Sequence, residues 1–318
     1  MSKTKPTHNQ RENYENDLDS TNDRPVIAIL AQPDRTEGSK RSYIAASYVK
    51  FVEASGAQVA PVPVGTSDEH VDQIFDSVNG VLFPGGSMGW DEESPGYYRH
   101  AIRFWNNAKM ANDRGDHFPI LGICLGLETM CVIQAGKNPK ILSNEYETKD
   151  VALPLDFRKD LKESRMFRDC PEDILTALVM EEITYNSHTF GVSIEDYEEH
   201  AYLNEFFDLL STNTDSNGRT FLSTVEARNY PFYGVQWHPE KSVFEFQNKE
   251  KRNIPHTTKA VRAAQHVANF FVGQAKKSKH RFLSEQKLQE LLIYNHQTEY
   301  TGKTDGKLKN FEQCYFFG

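Results

Sequence analysis

The sequence predicts an α/β fold in which helices flank a doubly wound, mostly parallel sheet. Two observations indicate it. Four short apolar runs, typical of buried parallel strands, occur in the first part of the chain. Segments with helical spacing of apolar residues separate these runs at short intervals. Alternation of this kind builds a parallel sheet, because each strand returns to the same edge through a helix.

The first half of the chain carries this alternation. Its predicted strands are PVIAILAQ, QVAPVPV, GVLFPGG and FPILGIC. The predicted helices are SYIAASYVKFVEASGA, DEHVDQIFDSVNG, a polar helix over about residues 97–112, and LGLETMCVIQAG. The first and last helices end at Gly56 and Gly136, since glycine adopts the conformation that commonly follows a helix C terminus.

After Gly136 the pattern changes. Short strand-like segments follow one another: DVALPL, EEITYNSHTFGVSI, FLSTVEAR and FYGVQWHP. A long helix is predicted from Thr258 to Gln274, and a short one at EQKLQELLIY. With no internal repeat or low-complexity linker, we predict one domain over residues 25–318. Residues 276–318 would be a charged extension packed on it, and residues 1–24 a disordered polar leader.

Composition argues against several classes of protein. The 318 residues carry a formal net charge of -9, whereas surfaces that bind nucleic acid are basic. No apolar run approaches the ~20 residues of a membrane helix. The four cysteines lack CxxC spacing and are too few for a disulfide framework. We therefore expect no nucleic acid, no membrane, no metal and no organic cofactor.

One cysteine, Cys124, lies between two glycines directly after a predicted strand. Ligands gather at the carboxyl ends of parallel strands, and the glycines permit a sharp turn into the next helix. The helix N terminus would lower the pKa of the thiol, and Leu125 N–H is a candidate oxyanion donor. This is the logic of a nucleophile elbow. The alternative is a buried, apolar cysteine, which is the role we predict for Cys131.

A candidate base follows a later strand, in FYGVQWHPEKS. There Glu240 can hold one imidazole nitrogen of His238 while the other faces a thiol. In the earlier segment LFPGGS, Gly86 N–H is a candidate second oxyanion donor. A solvated or core histidine and an ordinary glycine turn are the alternatives. The functional interpretation of His238 therefore depends on Cys124, and the paired glycines alone are a weak signal.

These motifs, GxCxG, PGG and GxQWHPE, resemble the class I glutamine amidotransferase-like superfamily and, within it, the γ-glutamyl hydrolase family. The similar segments are YIAASYVKFVEASGA, GVLFPGGS, GICLGLE, STNTD and YGVQWHPEKS, and they span about residues 25–275. YTG and CYFF near the end are similar too. The resemblance implies a flavodoxin-like sheet and a cysteine peptidase that cleaves γ-glutamyl bonds in folate and antifolate polyglutamates.

By this resemblance Cys124 is the nucleophile, His238 the general acid/base and Glu240 the orienting carboxylate. Gly86 and Leu125 would form the oxyanion hole.

Three further residues, Tyr48, Glu128 and His188, match positions that the family uses at the substrate. Glu128 lies one turn after Cys124, where it is placed to bind a substrate α-ammonium. The alternatives are a core aromatic for Tyr48, an ordinary first-turn glutamate for Glu128 and a loop histidine for His188.

The resemblance also implies a small-molecule γ-glutamyl substrate, a homodimer, and location in the lysosome, in the vacuole or outside the cell. The polar leader is not a signal peptide, so the chain would be cytoplasmic if complete as written. Two other functions stay open. One is a glutaminase that supplies ammonia to a synthetase, although such modules commonly carry Gln where this chain has Glu128. The other is a binding protein that keeps the fold without the activity.

Overall fold

The computed structural model describes residues 21–318, apart from positions 37, 88, 91, 93–95, 144, 247–252, 304–307 and 309. Its centre is an eight-stranded sheet. From one edge to the other the strands are β4 (Gln58–Val62), β1 (Val26–Leu30), β5 (Gly80–Phe83), β6 (Ile120–Ile123), β14 (Phe232–Val235), β13 (Thr220–Ala227), β12 (Phe207–Thr214) and β9 (Asp156–Phe157). The first five are parallel, and the other neighbouring pairs are antiparallel. The predicted fold class is confirmed.

Helices cover both faces of this sheet. They are α1 (Ala46–Glu53), α2 (Asp68–Phe75), α3 (Tyr97–Asp113), α4 (Leu125–Gln134), α5 (Glu172–Met180), α6 (Ile194–Glu199), α7 (Ala201–Asn204), α8 (Lys241–Phe244), α9 (Thr258–Ala275) and α10 (Glu285–Leu291). Buried apolar side chains of α2, α3 and α4 share one core, and those of α1, α5 and α9 share the other. Alternate residues of β1 enter the two cores, because successive side chains of a strand point to opposite faces.

The prediction for the start of the first helix is wrong. Ser42–Ala45, which we assigned to that helix, form a strand, β3. It pairs with β16 (Cys314–Phe317) and with β2 (Gln32–Pro33), and β15 (Thr298–Glu299) completes this four-stranded sheet. The partner strand β16 lies about 270 positions away, so no local pattern could reveal the pairing. The helix itself begins only at Ala46.

Two small sheets complete the second half. In one, β8 (Thr148–Leu153) pairs with β10 (Thr184–His188), and in the other β7 (Leu142–Ser143) pairs with β11 (Gly191–Val192). The strand predictions here were incomplete, since FDLLSTNT forms β12 and CYFF forms β16. None of the helices in the described parts of the chain is long and apolar enough to span a bilayer.

The predicted leader lies mostly outside the described residues, because the structure describes only residues 21–24 of it. Within this piece Asn22 N–H donates to the carbonyl of Lys276 at 2.7 Å. The boundaries of a single domain over residues 25–318 stay a prediction.

Gly126, in the first turn of α4, allows that helix to pack closely on the sheet. A methyl group there would overlap the carbonyl oxygen of Phe83 on β5. We expect Gly126→Ala to lower the free energy of unfolding by about 3 kcal/mol, since a rigid backbone oxygen cannot move aside cheaply. Gly273→Ala in α9 is the matched control, because no atom lies within 4 Å of the added methyl group. Urea unfolding of both variants tests this, and an equal effect would contradict it.

Candidate active site

The sheet brings Cys124 and His238 to the same edge. Cys124 follows β6 directly, and His238 follows β14, the parallel neighbour of β6. The N–H of Cys124 donates to the carbonyl of Val235 at 2.7 Å, which ties the two strand ends together. Cys124 has φ 53° and ψ -111°, in the left-handed half of φ space that non-glycine residues rarely occupy. This strained turn between a strand and a helix is the geometry expected of a nucleophile elbow.

His238 is held by Glu240, as predicted. Its Nδ1 lies 2.8 Å from Glu240 Oε1, and Glu240 is fully buried. The other ring nitrogen, Nε2, is thereby left for a second partner. Burial lowers the pKa of His238, and the Glu240 carboxylate partly opposes this effect. The imidazole is therefore neutral near pH 7, as a general base must be.

Four segments of the chain converge at Gly85. A methyl group on Gly85 would lie 2.7 Å from His238 Cε1, 2.7 Å from Tyr48 Oη and 3.2 Å from Cys124 Cβ. Gly85 N–H donates to Tyr48 Oη at 2.9 Å, and that hydroxyl lies 3.5 Å from His238 Nδ1. The structure thus places Tyr48 against the His238–Glu240 pair, where it can fix the orientation of the ring.

The prediction of a lowered thiol pKa is wrong for this structure. Burial raises the pKa of Cys124 well above its ordinary value, and the charge of Glu128 adds to the rise. The Leu125 N–H and the Lys241 ammonium act in the opposite direction without overcoming burial. Of the effects on the pKa of Cys124, the sequence analysis considered only that of the helix N terminus. Burial thus favours the neutral thiol, so a proton would have to leave the sulfur for it to act as a nucleophile.

Glu128 lies beside the nucleophile, as its spacing predicted. Its Oε1 accepts a hydrogen bond from Gln236 Nε2 at 2.9 Å, and the same nitrogen lies 3.7 Å from Cys124 Sγ. Burial raises the pKa of Glu128 to about 7. The sequence analysis did not name Gln236 as a site residue. Its place directly after β14, two residues before His238, could have indicated that it faces the site.

His188 is at the end of β10, and each of its ring nitrogens lies near an oxygen of its own segment. Nδ1 lies 2.7 Å from the carbonyl oxygen of Phe190, and Nε2 lies 3.2 Å from Asn186 Oδ1. Burial lowers the pKa of His188 to about 3, and the charge of a protonated His238 would add to this. The contact of His188 with substrate stays a prediction.

Of the two candidate oxyanion donors, the structure places Leu125 at the thiol. The Leu125 N–H hydrogen bonds to the sulfur of Cys124. Gln32 Nε2 donates to the carbonyl of Gly85 at 2.9 Å. The N–H of Gly86 lies on the opposite side of the same planar peptide, so it points away from Gln32. Gln32, which the sequence analysis did not single out, thus orients this peptide. The roles of Gly86 and Leu125 stay predictions.

We expect Gly85→Ala to lower kcat/KM by about 10²-fold, because the new methyl group would displace the His238 ring or the Tyr48 hydroxyl. A displacement of about 1 Å has an effect of this size on an oriented base. Gly89→Ala is the control, since nothing lies within 4 Å of its added methyl group. Steady-state kinetics of the two variants tests this, and an unimpaired Gly85→Ala enzyme would contradict the placement.

We expect the acid limb of kcat/KM to lie below pH 6.5, because burial lowers the pKa of His238 from that value. The neutral ring is the active form, so activity rises with pH through this pKa. Glu240→Gln removes the charge that raises the pKa, so the limb should move further down. We also expect kcat to fall by about 10²-fold or more, since the carboxylate that stabilises the imidazolium is lost. An acid limb that moved upward in the variant would contradict this assignment.

The arrangement defines a class of protein: a cysteine hydrolase whose nucleophile stands on a strand-to-helix turn. The family model of peptidase C26 matches residues 25–240, and the chain belongs to that family. It is 42% identical over 297 residues to the gamma-glutamyl hydrolase of Rattus norvegicus and 40% identical over 297 residues to that of Homo sapiens. Each alignment covers 92% of this chain and 90% of the relative.

A third relative comes from Dictyostelium discoideum. The chain is 36% identical over 303 residues to gamma-glutamyl hydrolase B of Dictyostelium discoideum, covering 94% of this chain and 85% of the relative. The resemblance inferred from the motifs is confirmed.

Proposed function

We propose that this protein hydrolyses the γ-glutamyl bonds of folate and antifolate poly-γ-glutamates through a thioester at Cys124. Membership of the peptidase C26 family supports a cysteine-type γ-glutamyl hydrolase. The single observation that carries the proposed chemistry is the convergence of Cys124 with the His238–Glu240 pair at Gly85.

In the first half-reaction the Cys124 sulfur attacks the side-chain carbonyl that joins two glutamates, and His238 takes the thiol proton. The negative charge on the carbonyl oxygen is stabilised by the N–H groups of Gly86 and Leu125. His238 then gives its proton to the departing α-nitrogen, the C–N bond breaks, and the shortened acyl chain remains on sulfur.

In the second half-reaction a water molecule donates a proton to His238 as it attacks the thioester carbonyl. The C–S bond breaks, His238 returns its proton to the sulfur, and the γ-carboxylic acid leaves and releases its remaining proton to solvent. Glu240 stabilises the imidazolium that forms in each half. Glu128 can accept a hydrogen bond from the α-nitrogen of the donor glutamate, which is an amide N–H within a folate tail.

The test is to incubate the protein with a folate pentaglutamate and to separate the products by mass, with an α-linked pentaglutamate as the control. We expect shortened tails from the γ-linked compound alone. Failure to shorten it anywhere between about pH 4.5 and 7.5 would overturn the proposal. Ammonia release from free glutamine, without cleavage of the tail, would establish the glutaminase alternative instead.

We also propose that the protein acts as a homodimer, in the lysosome, in the vacuole or outside the cell. The lowered pKa of His238 supports activity at a more acidic pH than an ordinary histidine base would allow. Light scattering of the purified protein and fractionation of the cells that make it test these two points. A monomer, or a protein confined to the cytosol, would refute the corresponding one.

A further inference from the structure

Lys241 is a buried cation next to the catalytic residues. It follows Glu240 directly in the chain, and its exposed fraction is only 4%. Within the described residues its ammonium donates no hydrogen bond and lies within 4.0 Å of no carboxylate oxygen. The side chain as a whole is buried, but its Nζ atom keeps some solvent-exposed surface. The ammonium is therefore accessible to an anion and has no ion-pair partner among the described residues.

Two aromatic rings surround the ammonium without satisfying its N–H groups. Lys241 Nζ lies 5.6 Å from the ring centroid of Tyr185 and 5.2 Å from that of Phe311. The rings attract a cation but accept no ordinary hydrogen bond. The Tyr185 ring is also 6.4 Å from the His238 ring, centroid to centroid. The charge of Lys241 also lowers the pKa of Cys124 and of His238, so the ammonium is close enough to act on both.

A purely structural role would be to balance two buried carboxylates, Glu240 and Glu245. Glu240 already holds His238, and Glu245 Oε2 accepts the N–H of Glu312 at 2.6 Å. Burial raises the pKa of Glu245 to about 7, and the charge of Lys241 opposes this rise without a direct ion pair. Neither carboxylate forms an ion pair with Lys241 among the described contacts. The two glutamates thus leave the ammonium free to bind another anion.

We propose that Lys241 binds an α-carboxylate of the γ-glutamyl chain beside the scissile bond. This inference rests on the proposed function. Each residue of a γ-linked tail keeps a free α-carboxylate, so one buried ammonium could recognise the linkage itself. Two glutamates flank the bond, the donor that is acylated on Cys124 and the residue that departs. Either carries the required group.

The experiment uses binding rather than turnover. The full chain with Cys124→Ala is titrated calorimetrically with γ-linked glutamate peptides, each paired with an analogue in which one α-carboxylate is a carboxamide. One pair changes the donor residue and the other changes the departing residue. We expect Lys241→Met, in the Cys124→Ala background, to weaken binding of the all-acid peptide by about 10- to 100-fold. For the analogue that carries a carboxamide at the contacted residue, Lys241→Met should weaken binding by less than about threefold.

The control is Lys109→Met in α3, whose ammonium also lies over two rings, those of Phe206 and Tyr230. It should leave all affinities unchanged. Lys241→Arg keeps the charge, so it should retain part of the preference for acid over amide. If Lys241→Met does not fold, Lys241→Gln decides, because a preference for acid over amide that stays unchanged at both positions without the charge would overturn the inference. An equal loss for acid and amide peptides in Lys241→Met would also overturn it.

The experiments distinguish a failure of this inference from a failure of the proposed function. If the wild type cleaves the pentaglutamate but Lys241→Met binds acid and amide peptides with an equal loss, only the inference fails. If the wild type does not cleave the tail, the proposed function fails, while the peptide titrations still decide whether Lys241 holds a carboxylate.

Discussion

Cys124→Ala is expected to lower kcat for γ-glutamyl hydrolysis by at least about 10⁴-fold, because no other group at the turn can form the acyl intermediate. The loss should appear in kcat whether or not KM changes. The alanine side chain fits the space of the thiol, so the free energy of unfolding should change by less than about 2 kcal/mol. Mass analysis of tail cleavage and urea unfolding of the same preparation measure the two quantities.

Cys131→Ala is the matched control for this prediction. Cys131 lies two turns further along α4, is fully buried and packs in the apolar core. Its replacement should lower stability by about 1 kcal/mol and leave kcat near the wild-type value. Turnover by Cys124→Ala within tenfold of the wild type would contradict the assignment of the nucleophile.

His238→Gln is expected to lower kcat by about 10³-fold or more. The amide can occupy the space of the ring and still hydrogen bond to Glu240, but it cannot carry the proton between the sulfur, the departing nitrogen and water. The pH dependence of the residual rate should lose the acid limb assigned to His238. Measuring kcat/KM between about pH 4 and 8 tests both statements.

His266→Gln in α9 controls for the loss of a partly buried imidazole. His266 Nε2 lies 2.8 Å from the carbonyl of Met166, within the core that α9 shares with α1. This variant should keep both the rate and the pH profile of the wild type. An acid limb that persisted unchanged in His238→Gln would mean that another group titrates there.

The local pattern of apolar residues was sufficient to predict the parallel strands of the sheet. Runs such as VIAIL are apolar on both faces, which only a strand covered by helices on both sides can be. The start of α1 failed because Ser42–Ala45 pair with residues at the far end of the chain. The strand β12 was missed for a similar reason, since its polar residues are buried by neighbouring strands and not by an alternation visible in the sequence.

The candidate site residues that lie in short sequence motifs could be predicted. Cys124, His238 and Glu240 each occupy a turn whose residue types are unusual for packing alone. The thiol pKa was not predictable, because it depends on how much water the folded chain leaves at the sulfur. Gln32 was missed as well, since it acts from another strand on the peptide that joins Gly85 to Gly86.

The central claim is that hydrolysis passes through a thioester. Hydroxylamine competes with water for such an intermediate, so it should be added during turnover of two γ-linked substrates that share the acyl part and differ in the leaving group. The thioester predicts a γ-hydroxamate beside the free acid, in the same ratio for both substrates at a given hydroxylamine concentration. No hydroxamate, or a ratio that depends on the leaving group, would contradict the claim.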